Sequence, residues 1–278
     1  MSSVPSVPAR VHVLLARRAP LGVVIRRGPS KHFCTLLWDR RHDTFTLGQW
    51  LKGRIYERRS DLSPDGKYFI YFAMSGQVSP EAGGAWTAIS RAPCLKAIGL
   101  WGKGSTRHGG GLFLDDGSYW IHDGPGHKPL RVPRQLVRAP ERPGAGEAVD
   151  ECAGVYYPRL RRDGWKPAHL GDELADPLAT TFEKPIGGGW ILRKLVYAAP
   201  PPGCGAGHRQ EGHQLVQVET DCVGDFPLWE WADVDGERLV WSEGGRLLAG
   251  RMKPDGLDEA RELFDFNNMR FERIEAPY

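Results

Sequence analysis

The stretch 107–120, RHGGGLFLDDGSYW, contains the residue order most suggestive of chemistry. His108-Gly109-Gly110-Gly111 is the phrase with which lipases and esterases present backbone N–H groups to an oxyanion. Such a hole works only beside a serine held on a strand-to-helix elbow, Gly-x-Ser-x-Gly. The chain has no such pentapeptide and no alternating strand–helix pattern around the run. Acyl transfer is therefore set aside. Gly109, Gly110 and Gly111 are expected to let a strand pass close to neighbouring backbone, with His108 capping or lining that entry.

Four other groupings could carry chemistry. Cys204, His208, His213 and Cys222 offer two sulfurs and two imidazoles, a donor set suited to tetrahedral zinc. Their spacing, C-x3-H-x4-H-x8-C, follows no standard finger or ribbon, and the flanking prolines and glycines read equally well as a polar loop. In GLWGKGST, residues 99–106, the lysine precedes the second glycine and no helix pattern follows. The run fails as a nucleotide-phosphate loop, and leaves Lys103, Ser105 and Arg107 as a simple anion site. Asp39, Asp61, Asp115 and Asp233 lie near strand ends, where two carboxylates facing a common axis would suit a glycosidase-like hydrolase. Their plainer reading is turn formation and amide capping. Trp165 stands among Arg161, Arg162 and Lys166, the aromatic–cation mixture of interface hot spots and stacking sites. The other tryptophans read as packing, with Trp229 and Trp231 on one face of a strand. No cofactor motif is present.

These residues must be positioned by short strands. The 278 residues include 35 Gly, 22 Pro and ten Trp, which suits many strands cut by turns. Asp-Gly occurs between aromatic or aliphatic runs at 65–66, 116–117 and 235–236, and a glycine triplet replaces it at 187–189. Gly supplies the positive φ that tight hairpins require. Gly66 to Gly117 and Gly188 to Gly236 are each separated by about 50 residues. Self-similar four-stranded units at that period indicate a β-propeller. LSPDGKYFIYFA, residues 62–73, resembles the WD40-like (PD40) repeat of TolB-type propellers, which implies a turn joining two strands of one blade and no activity. The expectation is a single all-β domain, an irregular propeller of five blades at 11–50, 54–104, 108–150, 155–222 and 226–273, with six blades as the alternative. One helix is expected within PDGLDEARELFDF, residues 254–266, unless that run is a turn feeding a strand.

The net charge of +3 is too small to demand a polyanion, but its distribution is uneven. Residues 1–60 carry twelve Lys or Arg against three acids, and residues 219–278 carry fifteen acids against seven Lys or Arg. A basic first blade meeting an acidic last one would account for this, as would a nucleic-acid patch on residues 10–59. No apolar run is long enough for a signal core or a membrane span, and five scattered cysteines suggest a reduced, cytoplasmic protein. The expected role is a monomeric, non-enzymatic scaffold that binds another macromolecule, most simply a protein, through loops on one face. The hydrolase and the polyanion binder stand as alternatives.

Overall fold

The computed structural model describes residues 7–28, 31–76, 82–141, 143, 152–168, 178–197 and 211–278. The chain divides into two compact units. The first holds the described residues of His12–Arg159 and Met269–Tyr278, and the second those of Pro8–Val11 and Leu160–Asn268. Among the described residues the regular structure is strand apart from one α-helix.

Strands β1 (Arg10–Leu15), β2 (Leu21–Arg27), β3 (His32–Asp39) and β4 (Thr44–Lys52) form a sheet in chain order. β5 (Arg54–Leu62), β6 (Tyr68–Met74), β7 (Ala85–Arg91) and β8 (Ala97–Gly102) form a second meander. β9 (Gly111–Phe113) and β10 (Tyr119–Ile121) make a two-stranded hairpin, after which β11 (Lys128–Arg131) returns to the β8 edge of the second sheet. Helix α1 covers Ala153–Arg162. A third sheet runs β12 (Lys166–Pro167), β13 (Ala179–Gly187), β14 (Trp190–Tyr197), β15 (Glu211–Gln217) and β16 (Cys222–Asp225). The fourth contains β17 (Trp229–Asp235), β18 (Arg238–Glu243), β19 (Arg246–Lys253) and β20 (Gly256–Leu257), with β21 (Arg261–Asp265) also paired to β19. These antiparallel meanders are the kind of sheet that serves as a propeller blade.

The Asp-Gly turns form where expected, because each is specified by its own side chains. Asp65 Oδ1 accepts from Ser63 Oγ at 2.7 Å and from Lys67 N at 3.1 Å, and Gly66 takes φ +74°. The second copy repeats this, with Asp116 Oδ1 accepting from Ser118 N at 2.9 Å and Ser118 Oγ at 2.6 Å, and Gly117 at φ +84°. The strands they join are apolar and deeply placed. Val23, Ile25, Phe33, Phe69 and Ala88 belong to one core cluster, and Ile70, Ile89, Phe113 and Tyr119 to another. Each fully buried aromatic or branched side chain stabilises by about 1.5–3 kcal/mol.

Two sequence expectations differ from the structure. The stretch 108–150 does not make a four-stranded blade among its described residues. Pro129 and Pro133 lack the N–H that an interior strand must donate, so β11 settles on an open edge, and 137–139 only bridge to Tyr119. Residues 254–266 form no helix but the alternative, a turn feeding strands β20 and β21, because edge pairing to β19 outweighs a weak helical pattern. Instead the helix is Ala153–Arg162, in spite of Gly154 and Pro158 within it. In the first unit Val155 packs with Leu112 and Trp120. Arg159 there donates to Glu57 O at 3.0 Å and to Ser60 O, carbonyls exposed by a bulge in β5 between Tyr56 and Asp61.

The glycine triplet governs how the hairpin seats. A Cβ on Gly109 would enter the Phe72 ring, one on Gly110 the Arg59 carbonyl, and one on Gly111 the Trp120 carbonyl. Gly117 has similar positive φ but open space around its Cα. Gly110→Ala is therefore expected to cost about 3 kcal/mol or more, and Gly117→Ala about 1 kcal/mol, read as shifts of the urea midpoint. Equal shifts would mean that φ alone, and not close approach, constrains the triplet.

Candidate functional site

The glycine run leads into a cluster of imidazoles in the first unit. Arg59 is buried, and its Nη1 donates to Thr106 O and His108 O at 2.6 Å each. Its guanidinium also lies over Tyr56 and Phe72, and Nε is 3.3 Å from Cys152 Sγ. Held by its carbonyl, His108 adopts φ +57°, an unusual conformation for a residue with a Cβ. His108 Nδ1 stands 3.5 Å from His122 Nε2 with the rings nearly perpendicular, and His122 stacks on Trp120. His127 Nδ1 accepts from Gly124 N at 3.1 Å, so its proton sits on Nε2. Burial, and then the charge of Lys103, lower the His127 pKa to about 4.

This cluster is no oxyanion hole. Gly109 N already donates to His122 O at 2.8 Å and Gly110 N to Thr87 Oγ1 at 2.9 Å. The backbone donors that acyl transfer would need are used in packing. Lys103 is likewise turned inward, with Nζ donating to Pro125 O at 2.7 Å, while Ser105 and Arg107 are exposed. The three do not present a common anion pocket.

Of the zinc candidates, Cys204 and His208 lie outside the described residues. His213 is buried on β15, with Nε2 3.8 Å from Glu211 Oε2, and Cys222 is exposed on β16. Cys222 pairs with Gln217, four residues along β15 from His213. That spacing separates them by about 13 Å, too far for one ion. Among the described residues no three His, Cys, Asp or Glu are grouped to hold a metal.

The four candidate carboxylates are each engaged by partners within the fold. Asp39 bonds His42 and the Arg41 amide, buried Asp61 accepts from Phe113 N at 2.7 Å, and Asp115 pairs with Arg17. Asp115 also lines a cavity of about 270 Å³ with Asp65, Asp116 and Arg18. Desolvation works to raise the Asp65 carboxyl, but bonds from Ser63 and Lys67 hold it below the usual range, and Ser118 lowers Asp116. A glycosidase acid needs the opposite shift.

In the second unit, Asp233 accepts from Lys184 Nζ at 2.7 Å and from Trp165 Nε1 at 3.4 Å. Trp165 is 1% exposed, with the ammonium groups of Lys184 and Lys194 at 5.6 and 4.8 Å from its ring. It belongs to a buried ionic layer in which Lys194 also pairs with Glu211 at 3.3 Å. Of its sequence neighbours, Arg161 and Lys166 are exposed and Arg162 pairs with Asp163 at 2.8 Å. The indole thus offers no surface for them to share.

Of the cations of residues 10–59, Arg26, Arg58 and Arg59 are buried, whereas Arg18, Lys31, Arg41, Lys52 and Arg54 are exposed. Arg26 is buried, bonds Gly28 O and lies over Trp50. Arg40 donates to Ala16 O and Ala19 O, and buried Arg58 lies over Tyr156.

A feature that sequence reasoning did not single out is a run of exposed cations set among exposed aliphatic side chains. All four residues of β11 are exposed, and no strand pairs its outer side among the described residues. Leu130, Val132 and Val137 are 41%, 58% and 74% exposed beside exposed Lys128, Arg131 and Arg134. The signal was present as KPLRVPRQLVR, residues 128–138, with four cations and no acid. Arg131 Nη1 is anchored on Ala97 O at 2.7 Å and Arg138 on Asp123.

Two consequences concern stability. His127 has a folded pKa below its unfolded value, so its contribution is complete above about pH 6.5 and erodes as pH falls toward 4. Across that window wild type should lose about 2 kcal/mol more than His127→Gln, and parallel curves would dismiss the assignment. For Asp233, burial raises the carboxyl but Lys184 and Lys194 outweigh it and hold the pKa low. Its contribution is present above about pH 4 and lost as pH falls through the lower folded value. Asp233→Asn should cost about 3 kcal/mol at pH 7 and progressively less toward pH 2 in urea unfolding.

No family model matches the chain, and no curated protein matches it. Among solved structures it is similar to the crystal structure of TolB from Acinetobacter baumannii, at 15% identity with a TM-score of 0.22. The alignment covers 90% of this chain and 62% of that one, so the chain spans less than two thirds of that protein's length. At that score the likeness carries no argument.

Proposed function

We propose that the chain is a propeller-type binding module that holds an acidic, partly apolar segment of another protein against the outer face of β11 and residues 132–138. The observation that carries this reading is the exposure of Lys128, Arg131 and Arg134 among Leu130, Val132 and Val137, with no acid in the run. Contiguous exposed apolar side chains rimmed by charge mark interaction sites. Pro129 and the register shift beside it disfavour simple strand addition, so side chains, and not the backbone ladder, would read the partner. The run has no aromatic residue. Single-stranded nucleic acid is held by cations together with stacking rings, and cations mixed with aliphatics suit a protein better. The hydrolase is the weaker reading, because its candidate carboxylates are engaged in turns, caps and ion pairs.

The test uses a labelled peptide alternating Glu and Leu, with single-stranded DNA of similar charge as comparator, at low and moderate salt. The triple variant Lys128→Glu, Arg131→Glu, Arg134→Glu should weaken peptide binding at least about tenfold, mostly by slower association. Salt should weaken the wild-type complex. Unchanged peptide binding in the variant, or tighter binding of the DNA, would overturn the proposal.

A further inference from the structure

The first unit already holds an extended peptide, supplied by the chain itself. Residues 269–278 have no helix or strand, and they lie beside β4 and the 91–96 turn. Gln49 on β4 bridges the two. Its Nε2 donates to Ile274 O at 2.8 Å, and its Oε1 accepts from Leu95 N at 2.7 Å and Lys96 N at 3.0 Å. A side-chain amide used in this way copies the pairing of a peptide group.

Tyr278 is clamped more fully. Its hydroxyl donates to Lys96 O at 2.7 Å and accepts from Arg91 N at 3.0 Å. Its ring is 4.9 Å from the Arg91 guanidinium and 5.5 Å from the Lys96 ammonium, and Lys96 also bonds the Tyr278 carbonyl. Phe271 meets Trp50 at 6.0 Å. Yet none of residues 269–278 is buried. A cavity of about 420 Å³ remains beside the segment, lined by Gln49, Trp50, Leu95, Lys96, Arg273 and Ile274. The recognition groups are specific, whereas the adhesion is shallow.

We propose that this groove is a receptor for an extended segment of another protein bearing a tyrosine four residues after a backbone carbonyl that Gln49 binds. Residues 274–278 occupy it as a displaceable internal stand-in. The inference rests on the protein-binding reading above and names a second contact for the same partner. Continuity supports this, since Arg131 of the basic edge donates to Ala97 O, one residue beyond Lys96. A tethered occupant competes at an effective concentration on the order of millimolar. A partner that also engages the basic edge gains the avidity to displace it.

The experiment follows binding of a labelled decapeptide with the sequence of residues 269–278 to the full chain by fluorescence polarisation. Wild type should bind weakly, because its own segment competes. Tyr278→Ala, which loosens that segment, should bind the probe roughly tenfold more tightly, and adding Gln49→Ala should reverse the gain. Thermal melts establish that both variants fold. Equal binding by wild type and Tyr278→Ala, or a gain that survives Gln49→Ala, would overturn the inference. The triple charge reversal on β11 separates the two proposals. If that variant and wild type bind the Glu–Leu probe equally while the decapeptide behaves as expected, the acidic-partner reading falls and the groove stands. Loss of the Glu–Leu probe with no effect of Tyr278→Ala removes only the groove.

Discussion

The first unit depends on one close approach, that of the Gly109–Gly111 backbone to β5 and β6. With no Cβ at these positions, the hairpin β9–β10 seats against Phe72 and the Arg59 carbonyl. Arg59 then lies where its guanidinium can satisfy the Thr106 and His108 carbonyls while stacking on Tyr56 and Phe72. The β5 bulge that places Arg58 and Arg59 inside leaves Glu57 O and Ser60 O to be satisfied by another donor. Arg159 of α1 supplies it, and Arg58 lies over Tyr156 of the same helix. Buried backbone oxygens need partners, so hairpin, bulge and helix are tied into one arrangement. An oxyanion hole would have needed the amides of the triplet free; the close approach uses two of them.

The same economy explains the charge of the chain. Arg26, Arg40, Arg58, Arg59 and Arg159 cap carbonyls or cover aromatic rings in the first unit. Lys184 and Lys194 flank Trp165 and face Asp233 and Glu211 in the second. A cation removed from water is tolerable only with such partners. Against that background the exposed cations of β11 and the segment after it serve no comparable internal demand, Arg131 and Arg138 apart.

An edge strand presents unpaired backbone, and proteins blunt it with Pro, Lys and irregular register. β11 has Lys128, Pro129 and a register shift, which protects the edge from indiscriminate pairing. Its exposed aliphatics remain available to side-chain recognition. The groove beside Gln49 and Lys96 offers complementary chemistry, aromatic and hydrogen-bonding where the edge is cationic and aliphatic. A partner meeting both would be selected by two different physical interactions.

Local features were legible in the residues because short-range sterics settle them. Asp65-Gly66 and Asp116-Gly117 form their hairpins through bonds made within five residues and a φ that glycine adopts freely. The glycine triplet was readable as a site of close approach for the same reason. Which elements meet was not legible. KPLRVPRQLVR carries a visible charge signal, but its placement on the β8 edge follows from a non-local pairing that competing strands could also have made. Helix Ala153–Arg162 contains Gly154 and Pro158, and exists because Val155, Tyr156 and Arg159 find buried partners distant in sequence. RRDGWKP looks the same whether Trp165 faces water or the Lys184–Asp233 pair. Burial and ion pairing depend on residues dozens of positions away, so the fold alone assigned the indole to the interior and the aliphatic edge to the surface.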